Sequence, residues 1–341
     1  MNNKNISLFF LIALIGLTWG SCIYLQRYVV KNYDGISIRL EGTGVKQIEL
    51  EAAIKQEQSK NNLQDIDSLQ VTAWNRGPRI TIYNTKLNTT TKTRIVTVYG
   101  DMAKVCPFPI KFGSFCYEKD TDGCVIDEKT AYDLFRDKNV VGNMITYESK
   151  QYVIRGIVKS KEQLVIINSK DEKTSFTNLE MNLKDNTGIA AINFINDYQL
   201  TSDYITVLEG SFYARLLYNT AIFPAVFIWL CLVAFFLKKA YKKRNSWLQC
   251  LVYAVICVLI CYIFIKTTRL YFPDRWIPTR WSDFSFWNRI LKEWRVKWMD
   301  YSFLIPLQKD TILRNTILLC NVMSVLTTLE IGVLIKHLKE G

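Results

Sequence analysis

The sequence predicts a membrane protein with four transmembrane α-helices and an α+β extracytoplasmic domain between the first and second spans. Three observations lead to this fold class. Four apolar stretches are long enough to cross a bilayer. Basic residues are concentrated in the short connection between the second and third of these stretches. A long segment after the first stretch contains runs that alternate apolar and polar residues, as half-buried strands do.

Each of the apolar stretches has the length of about 20 residues that a membrane-spanning helix requires. The first stretch continues through Cys22-Ile23-Tyr24-Leu25 without a small-x-small cleavage pattern, so we expect a retained anchor instead of a cleaved signal peptide. We assign transmembrane helices to residues 6–25, 216–237, 247–265 and 316–335.

The basic connection at residues 238–246 sets the orientation. Cytoplasmic loops carry an excess of Lys and Arg, so this loop and both termini are predicted to be cytoplasmic. We expect a multi-pass protein of the cell membrane with its main domain outside. The remaining predicted segments are the cytoplasmic N-terminus (1–5), the extracytoplasmic domain (26–215), an external Trp-rich loop (266–315) and the cytoplasmic tail (336–341).

The formal net charge of +12 arises from 43 Lys and Arg residues against 31 Asp and Glu residues. Cations at membrane interfaces and in cytoplasmic loops account for this excess, and no basic stripe carries a nucleic-acid-binding motif. We therefore expect no nucleic-acid partner.

Motifs for catalysis are missing from the sequence. No Gly-x-Ser-x-Gly, His-Glu-x-x-His or Walker-type phosphate loop occurs, and the only histidine is His337 in the tail. We expect no catalytic residue, cofactor or metal in this chain, so any ATP hydrolysis would be by a separate subunit.

Three cysteines, Cys106, Cys116 and Cys124, lie in the extracytoplasmic domain. They allow at most one internal disulfide, and the sequence does not select the pair.

The extracytoplasmic domain is predicted to mix short strands with small helices. A helix is expected over residues 45–58, and the threonine-rich run 85–93 is expected to be a hairpin tip or a solvated loop. Cys124-Val125-Ile126 predicts a short strand, and Asp127 an N-cap for a helix with Ala131, Leu134 and Phe135 on one face. The other predicted strands are 36–40, 69–74, 80–83, 94–99, 144–147, 152–158 and 164–168.

Several of these segments, in this order and spacing, carry a family resemblance. They are Val71-Thr72-Ala73-Trp74, Val98-Tyr99-Gly100, Cys124-Val125-Ile126-Asp127 with Ala131 and Leu134-Phe135, the step from Gly142 to Ile145, and the strand 152–158. Together they resemble the extracytoplasmic core domain of MacB/FtsX-like ABC transporter permeases. The arrangement of one span, a large external domain and three further spans is also similar to that family.

The resemblance implies a permease-like membrane subunit of an ABC assembly. Such a subunit passes movement of its spans to an extracytoplasmic domain that acts on a lipid, a peptide or an envelope protein. The resemblance also implies a separate ABC ATPase subunit and a homodimer or a heterodimer with another permease subunit.

The chain departs from the family after the second span. Family members carry a cytoplasmic coupling helix there, with a Glu-Ile-Gly and Ala-x-Gly pattern, whereas this chain has only residues 238–246. The alternative is therefore a membrane receptor or scaffold that keeps this fold without ATPase coupling. The candidate residues for a cytoplasmic partner contact are Lys238, Lys239, Lys242, Lys243 and Arg244.

The Trp-rich external loop predicts an interfacial amphipathic helix that begins near Ser282. Its apolar face would lie in the acyl boundary and its cations toward anionic headgroups, which makes membrane lipids a partner. The candidate membrane-interface residues are Trp287, Trp294 and Trp298. Two roles stay open for this helix: an aromatic belt that only anchors the loop, or a platform that presents or detects a membrane-embedded ligand.

Two residues within the spans are candidates for a functional role. Glu330 is a carboxylate inside the fourth span, where a charge is costly, so it is a candidate intramembrane polar site. Its position near the cytoplasmic end also allows snorkelling or pairing with the cluster at 238–244. Pro224 predicts a kink in the second span, either as a hinge or as a static bend.

Overall fold

Alternating and helical stretches of the sequence form a mixed sheet with small helices, flanked along the chain by long apolar helices. The computed structural model describes residues 3–33, 35–62, 69–182, 187–200, 204–268, 270, 277–278, 280, 283–303 and 308–340. In chain order the elements are α1 (Asn3–Asn32), β1 (Ile36–Glu41), β2 (Val45–Lys46), α2 (Gln47–Asn62), β3 (Gln70–Asn84), β4 (Thr89–Tyr99), α3 (Met102–Val105), β5 (Ile110–Gly113), β6 (Gly123–Asp127), α4 (Glu128–Phe135), β7 (Met144–Tyr147), β8 (Lys150–Val158), β9 (Leu164–Asn168), β10 (Ser175–Phe176), β11 (Asn178–Asn182), α5 (Gly188–Asp197), β12 (Tyr204–Glu209), α6 (Gly210–Lys242), α7 (Trp247–Thr267), α8 (Phe286–Phe303) and α9 (Gln308–Glu340).

Four helices in the described part of the chain, α1, α6, α7 and α9, are long and apolar enough to cross a membrane, which confirms the predicted fold class. The helices extend beyond the apolar stretches from which they were predicted. In particular, α6 continues through Lys242, so most of the segment expected to be a basic loop is helical. Lys and Ala are good helix formers, and cations are favourable at a helix C-terminus. Residues 243–246 alone connect α6 to α7.

The chain divides into two compact units, Met1–Tyr33 with Phe212–Gly341 and Asp34–Ser211, which are called here the membrane unit and the external unit. In the membrane unit, α1, α6 and α9 share a buried core, and α7 contacts α6 through the stacked rings of Trp229 and Phe264, whose centroids are 4.6 Å apart. The buried core residues are Cys22, Val29, Tyr33, Ala214, Leu217, Ala221, Leu313, Ile317 and Cys320.

A mixed sheet organises the external unit. Its strand order is β12-β1-β11-β3-β4-β9-β6-β8-β5, and β7 pairs with both β3 and β8. The β4–β9 and β6–β8 pairs are parallel, whereas the other pairs are antiparallel. One apolar core packs α2 and α5 against β1, β11 and β3, and a second packs α4 against the strands around β6. The predicted α+β class is therefore confirmed.

The predicted hairpin is present, formed by β3 and β4, but its strands are longer and its tip is shorter than expected. The expected strands 69–74 and 80–83 run together as β3, with a register shift between Arg76 and Arg79. Residues 85–88 form the hairpin tip, where Asn84 Oδ1 accepts hydrogen bonds from Lys86 N and Leu87 N at 3.1 and 3.3 Å. The threonines that follow join β4, where β-branched side chains are favoured.

The helix expected over residues 45–58 begins two residues later. Val45 and Lys46 form β2, which pairs with β10, and α2 runs from Gln47 to Asn62. The strand and helix at residues 124–135 agree with the prediction. Asp127 caps α4 by accepting from Lys129 N and Thr130 N at 2.8 and 3.2 Å, and Ala131 is fully buried.

Candidate functional site

Pro224 interrupts the hydrogen bonds of α6 at the centre of the membrane unit. A proline has no backbone N–H, so the carbonyl oxygen of Thr220, four residues earlier, lacks its helical partner. Ser324 Oγ on α9 donates to this oxygen at 2.6 Å. The next carbonyl, that of Ala221, accepts from Trp19 Nε1 on α1 at 2.9 Å. Two neighbouring helices thus provide hydrogen-bond donors to the carbonyls at the proline, as expected for a Pro-containing membrane helix.

A second contact ties the same turn of α6 to α9. Thr220 Oγ1 donates a hydrogen bond to Asn321 Oδ1 at 3.2 Å, and Asn321 Nδ2 donates to Ile317 O of its own helix at 2.9 Å. Ser324 and Asn321 are three residues apart on α9, so both face Thr220. We name the contacts among Thr220, Ala221, Pro224, Trp19, Asn321 and Ser324 the proline junction.

Glu330 also contacts α1. Thr18 Oγ1 donates to Glu330 Oε2 at 2.8 Å, and Thr327 Oγ1 donates to Thr18 Oγ1 at 2.9 Å. Thr327 is fully buried. Among the described residues, no ion pair joins Glu330 to the cations at 238–244. The carboxylate of Glu330 is therefore held by a hydroxyl of the neighbouring helix.

Cys22 on α1 and Cys320 on α9 complete the contact between these two helices. Their Sγ atoms are 3.2 Å apart, and both side chains are fully buried. Each sulfur also approaches the backbone carbonyl of the other residue, at 3.5 and 3.6 Å. Both thiols are free. Small side chains at this level let α1 and α9 pack closely, as is usual between membrane helices.

A buried ion pair lies in the external unit. Arg39 Nη1 on β1 is 2.9 Å from Glu180 Oε1 on β11, and the two side chains are only 4% and 7% exposed. Glu180 also accepts from Trp74 Nε1 at 3.1 Å and from Ser37 Oγ at 2.5 Å. The Arg39 guanidinium lies over the Trp74 ring, 5.4 Å from its centroid. The Glu180 carboxylate on β11 is thus hydrogen-bonded to side chains on β1 and β3.

Asp120, Asp122 and Asp127 have structural roles, and the N-cap predicted for Asp127 is confirmed. Asp120 accepts from Gly123 N at 2.9 Å and pairs with Arg155, and Asp127 caps α4. Asp122 lies between Lys170 and Lys150, which hold the pKa of its carboxyl below the usual value. The three carboxylates therefore have structural contacts in turns, in a helix cap and in ion pairs.

Cys106, Cys116 and Cys124 of the external unit are all buried, and no disulfide joins any two of them in the described structure. Burial raises the pKa of Cys116 to about 12 and raises the pKa of Cys124 well above its ordinary value. These thiols stay protonated at neutral pH and behave as small apolar side chains.

The residues predicted as candidate sites lie on three separate elements. The cations belong to the end of α6 and its following turn, where all five side chains are exposed. Trp287 and Trp298 on α8 are 54% and 40% exposed, and the side chain of Trp294 lies outside the described residues. Glu330 is on α9. The sequence analysis did not identify Ser324, Trp19 or Thr18 as candidates. Polar side chains within apolar stretches could have indicated them, because such side chains often donate to the backbone carbonyl that a proline leaves without a helical partner.

Comparison with known proteins decides the family. Residues 6–210, more than half of the chain, match the sequence model of the MacB-like periplasmic core domain. The chain belongs to this family. The match covers the first membrane helix and the external unit and confirms the resemblance seen in the sequence. The family is one of ABC transporter permeases, and the chain is a multi-pass membrane protein.

Solved structures resemble the MacB-like chain at low identity. The periplasmic region of MacB from Actinobacillus actinomycetemcomitans is 11% identical, with a TM-score of 0.40, over 54% of this chain and 92% of that one. The extracellular domain of the ABC-type transporter YknZ from Gram-positive bacteria is 11% identical, with a TM-score of 0.38, over 51% and 98%. No curated protein matches the sequence.

Proposed function

We propose that this MacB-like chain is the permease-type subunit of an ABC assembly in which movement of the membrane helices is passed to the external unit. The family match over residues 6–210 is the observation that carries the proposal. The chain path supports it, because α1 leads into the external unit and β12 continues directly into α6. These two helices meet α9 at the proline junction, so a shift of one helix alters the hydrogen bonds of the others.

The energy for this movement would come from a separate ATPase subunit, since the sequence has no Walker-type phosphate loop. In this arrangement both termini and the turn after α6 are cytoplasmic, and the external unit is extracytoplasmic. A pair of permease subunits, identical or different, would complete the assembly. The external unit would act on a lipid, a peptide or an envelope protein without conducting it through a pore.

α8 supports a role at the membrane surface. Among its described side chains, Trp287, Leu291 and Trp298 are all exposed although they are apolar, and they recur at helical spacing. The cations Arg289 and Lys292 are exposed on other faces of the helix, and Arg295 is exposed at the edge of the apolar face. We assign the apolar face to the acyl boundary, where it would hold this part of the chain beside a membrane-embedded ligand.

A second function is favoured by one observation. The turn between α6 and α7 contains only residues 243–246, which leaves no room for a cytoplasmic coupling helix. A receptor or scaffold that keeps the family fold without an ATPase would need no such helix. Pro224 would then be a static bend, and the proline junction would serve stability alone.

Purification of the tagged full-length protein in mild detergent separates the two functions. For a permease we expect a nucleotide-binding ATPase in a fixed ratio to the chain, identified by mass spectrometry. Repeated absence of an ATPase, with a kinase or an envelope protein in its place, would overturn the permease proposal and support the receptor. An unrelated four-span protein with the same tag serves as the control for adventitious partners.

A further inference from the structure

We propose that the end of α6 and the turn after it bind the phosphate groups of anionic phospholipids. The basic turn is defined here as residues 238–246. It contains five cations, Lys238, Lys239, Lys242, Lys243 and Arg244, all with exposed side chains. The proposal concerns a lipid site on the membrane unit and does not depend on an ATPase partner.

The position of the basic turn along α6 is the first argument. The apolar stretch before it, residues 216–237, has a helical length of about 33 Å, close to the hydrocarbon thickness of about 30 Å. Lys238 is the next residue, so the cations begin where the hydrocarbon ends. Lys238 and Lys242 are four residues apart and lie on one face of the helix. Their ammonium groups are therefore at the level of the lipid phosphates.

The second argument is that backbone hydrogen bonds within the basic turn keep it short. Lys243 N donates to Lys239 O at 3.1 Å, and Ser246 N donates to Lys243 O at 3.0 Å. α7 begins at Trp247, so the turn cannot extend far from the membrane. Tyr241 within the basic turn and Trp247 directly after it are 71% and 72% exposed. Tyr and Trp favour the headgroup region of a bilayer, so these rings would keep the turn at that depth.

Charge complementarity is the third argument. No Asp or Glu occurs in α6, α7 or the turn between them, so these two helices supply no carboxylate to the cations. Within the described residues, none of the five cations forms an ion pair. Arg244 lies over the Tyr241 ring, 5.1 Å from its centroid, and Lys239 over the Phe235 ring, 4.6 Å from its centroid. Both contacts leave hydrogen-bond donors available for phosphate oxygens.

A protein partner is the competing explanation for these cations. A coupling surface has to project from the membrane to meet another subunit, whereas this turn is short and closed. Anionic headgroups surround the turn without any projection, and juxtamembrane clusters of Lys and Arg attract them. The geometry therefore favours the lipid.

Native mass spectrometry of the full-length protein in detergent, with phosphatidylglycerol or phosphatidylcholine of matched acyl chains, tests the proposal. The wild type should retain more phosphatidylglycerol. A variant with all five cations changed to Gln should lose this preference by about fivefold or more. A second variant, with the four lysines changed to Arg, should keep the preference, which would show that positive charge and not the lysine side chain itself retains the lipid. Free inorganic phosphate at the same concentration should not compete, since the site is formed at the lipid surface.

A charge-matched control uses five exposed lysines of the external unit, Lys92, Lys111, Lys129, Lys138 and Lys161, all changed to Gln. This variant has the same loss of net charge and should retain phosphatidylglycerol like the wild type. The proposal is overturned if the wild type has no preference or if the control variant loses it equally. It is also overturned if the five-Gln variant keeps the lipid but loses a co-purifying protein, which would assign the turn to that partner. These outcomes are read without an ATPase, so they are independent of the permease proposal.

Discussion

Ser324 on α9 donates its hydroxyl to the carbonyl oxygen of Thr220 on α6 at 2.6 Å, at the position where Pro224 removes the helical donor. The hydrogen bond that Pro224 removes from α6 is therefore replaced by one from a side chain of another helix. Trp19 of α1 contacts the adjacent carbonyl, that of Ala221. Because three helices share these bonds, the conformation of α6 at the proline depends on the positions of α1 and α9.

We expect Ser324→Ala to lower the free energy of unfolding of the full-length protein by about 1 kcal/mol, since hydrogen bonds between membrane helices contribute about that much. The measurement is reversible unfolding in mixed micelles. Ser21→Ala is the matched control, because the exposed Ser21 hydroxyl donates to Leu17 O of its own helix at 2.7 Å and forms no hydrogen bond to another helix among the described residues. Its effect should be a few tenths of a kcal/mol.

The link between Ser324 and Pro224 is tested by a double-mutant cycle. Pro224→Ala supplies the missing N–H, so the Thr220 carbonyl gains its helical donor and depends less on Ser324. The cost of Ser324→Ala should therefore fall by at least half in the Pro224→Ala background. Strict additivity of the two substitutions would contradict this account of the proline junction.

Thr18 on α1 donates a hydrogen bond to Glu330 on α9. Thr18→Val keeps the shape of the side chain and removes the donor, so we expect a loss of about 1 kcal/mol in the free energy of unfolding. A bond to a carboxylate is stronger than one to an amide, so the loss should be smaller in a Glu330→Gln background. An equal loss in both backgrounds would show that the carboxylate does not depend on Thr18.

The buried pair of Arg39 and Glu180 should be sensitive to the loss of one partner. Arg39→Met leaves a buried carboxylate without its cation, and we expect a cost of about 3–5 kcal/mol. Urea unfolding of the isolated external unit, residues 34–211, measures the effect. The exposed pair of Lys46 and Glu49 is the control, and Lys46→Met should cost less than about 1 kcal/mol. A small effect of Arg39→Met would mean that the other hydrogen-bond partners of Glu180, including Ser37 and Trp74, compensate for the lost cation.

α8 is predicted to bind the surface of a bilayer. A peptide covering residues 282–304 should bind anionic liposomes, and replacement of Trp294 and Trp298 by Ser should weaken binding by about tenfold or more, because buried aromatic area drives partitioning. A scrambled peptide of the same composition is the control, since it has the same charge without a continuous apolar face. Unchanged binding of the Ser variant would remove the interfacial assignment.

Local signals in the sequence predicted much of the fold. Apolar length identified the four membrane helices, and Asp127 was recognised as a cap because its partners, Lys129 and Thr130, are two and three residues away. The predicted ends of strands and helices were less accurate where the polarity of a residue indicates a loop but its intrinsic propensity favours a strand or a helix. The threonines after Asn88 are polar yet pair in β4, and Lys238–Lys242 are charged yet helical.

The candidate site depends on contacts between residues far apart in the chain. Ser324 is 104 residues from Thr220, and Glu330 is 312 residues from Thr18. A hydropathy pattern identifies each span but does not determine which faces of two spans meet, because lipid-facing and helix-facing residues are both apolar. Glu330 was therefore recognised as unusual, whereas its partner Thr18 was not.

The ATP hydrolysis rate of the purified assembly in lipid nanodiscs tests most directly whether membrane-helix movement is coupled to a partner. We expect vanadate-sensitive ATP hydrolysis that co-purifies with the chain. The Ser324→Ala and Pro224→Ala variants should each change its rate by about twofold or more, because coupling through packed helices responds to such substitutions. The Ser21→Ala variant should leave the rate unchanged. Hydrolysis no higher than that of an unrelated membrane protein, or identical rates for wild type and both junction variants, would contradict the account.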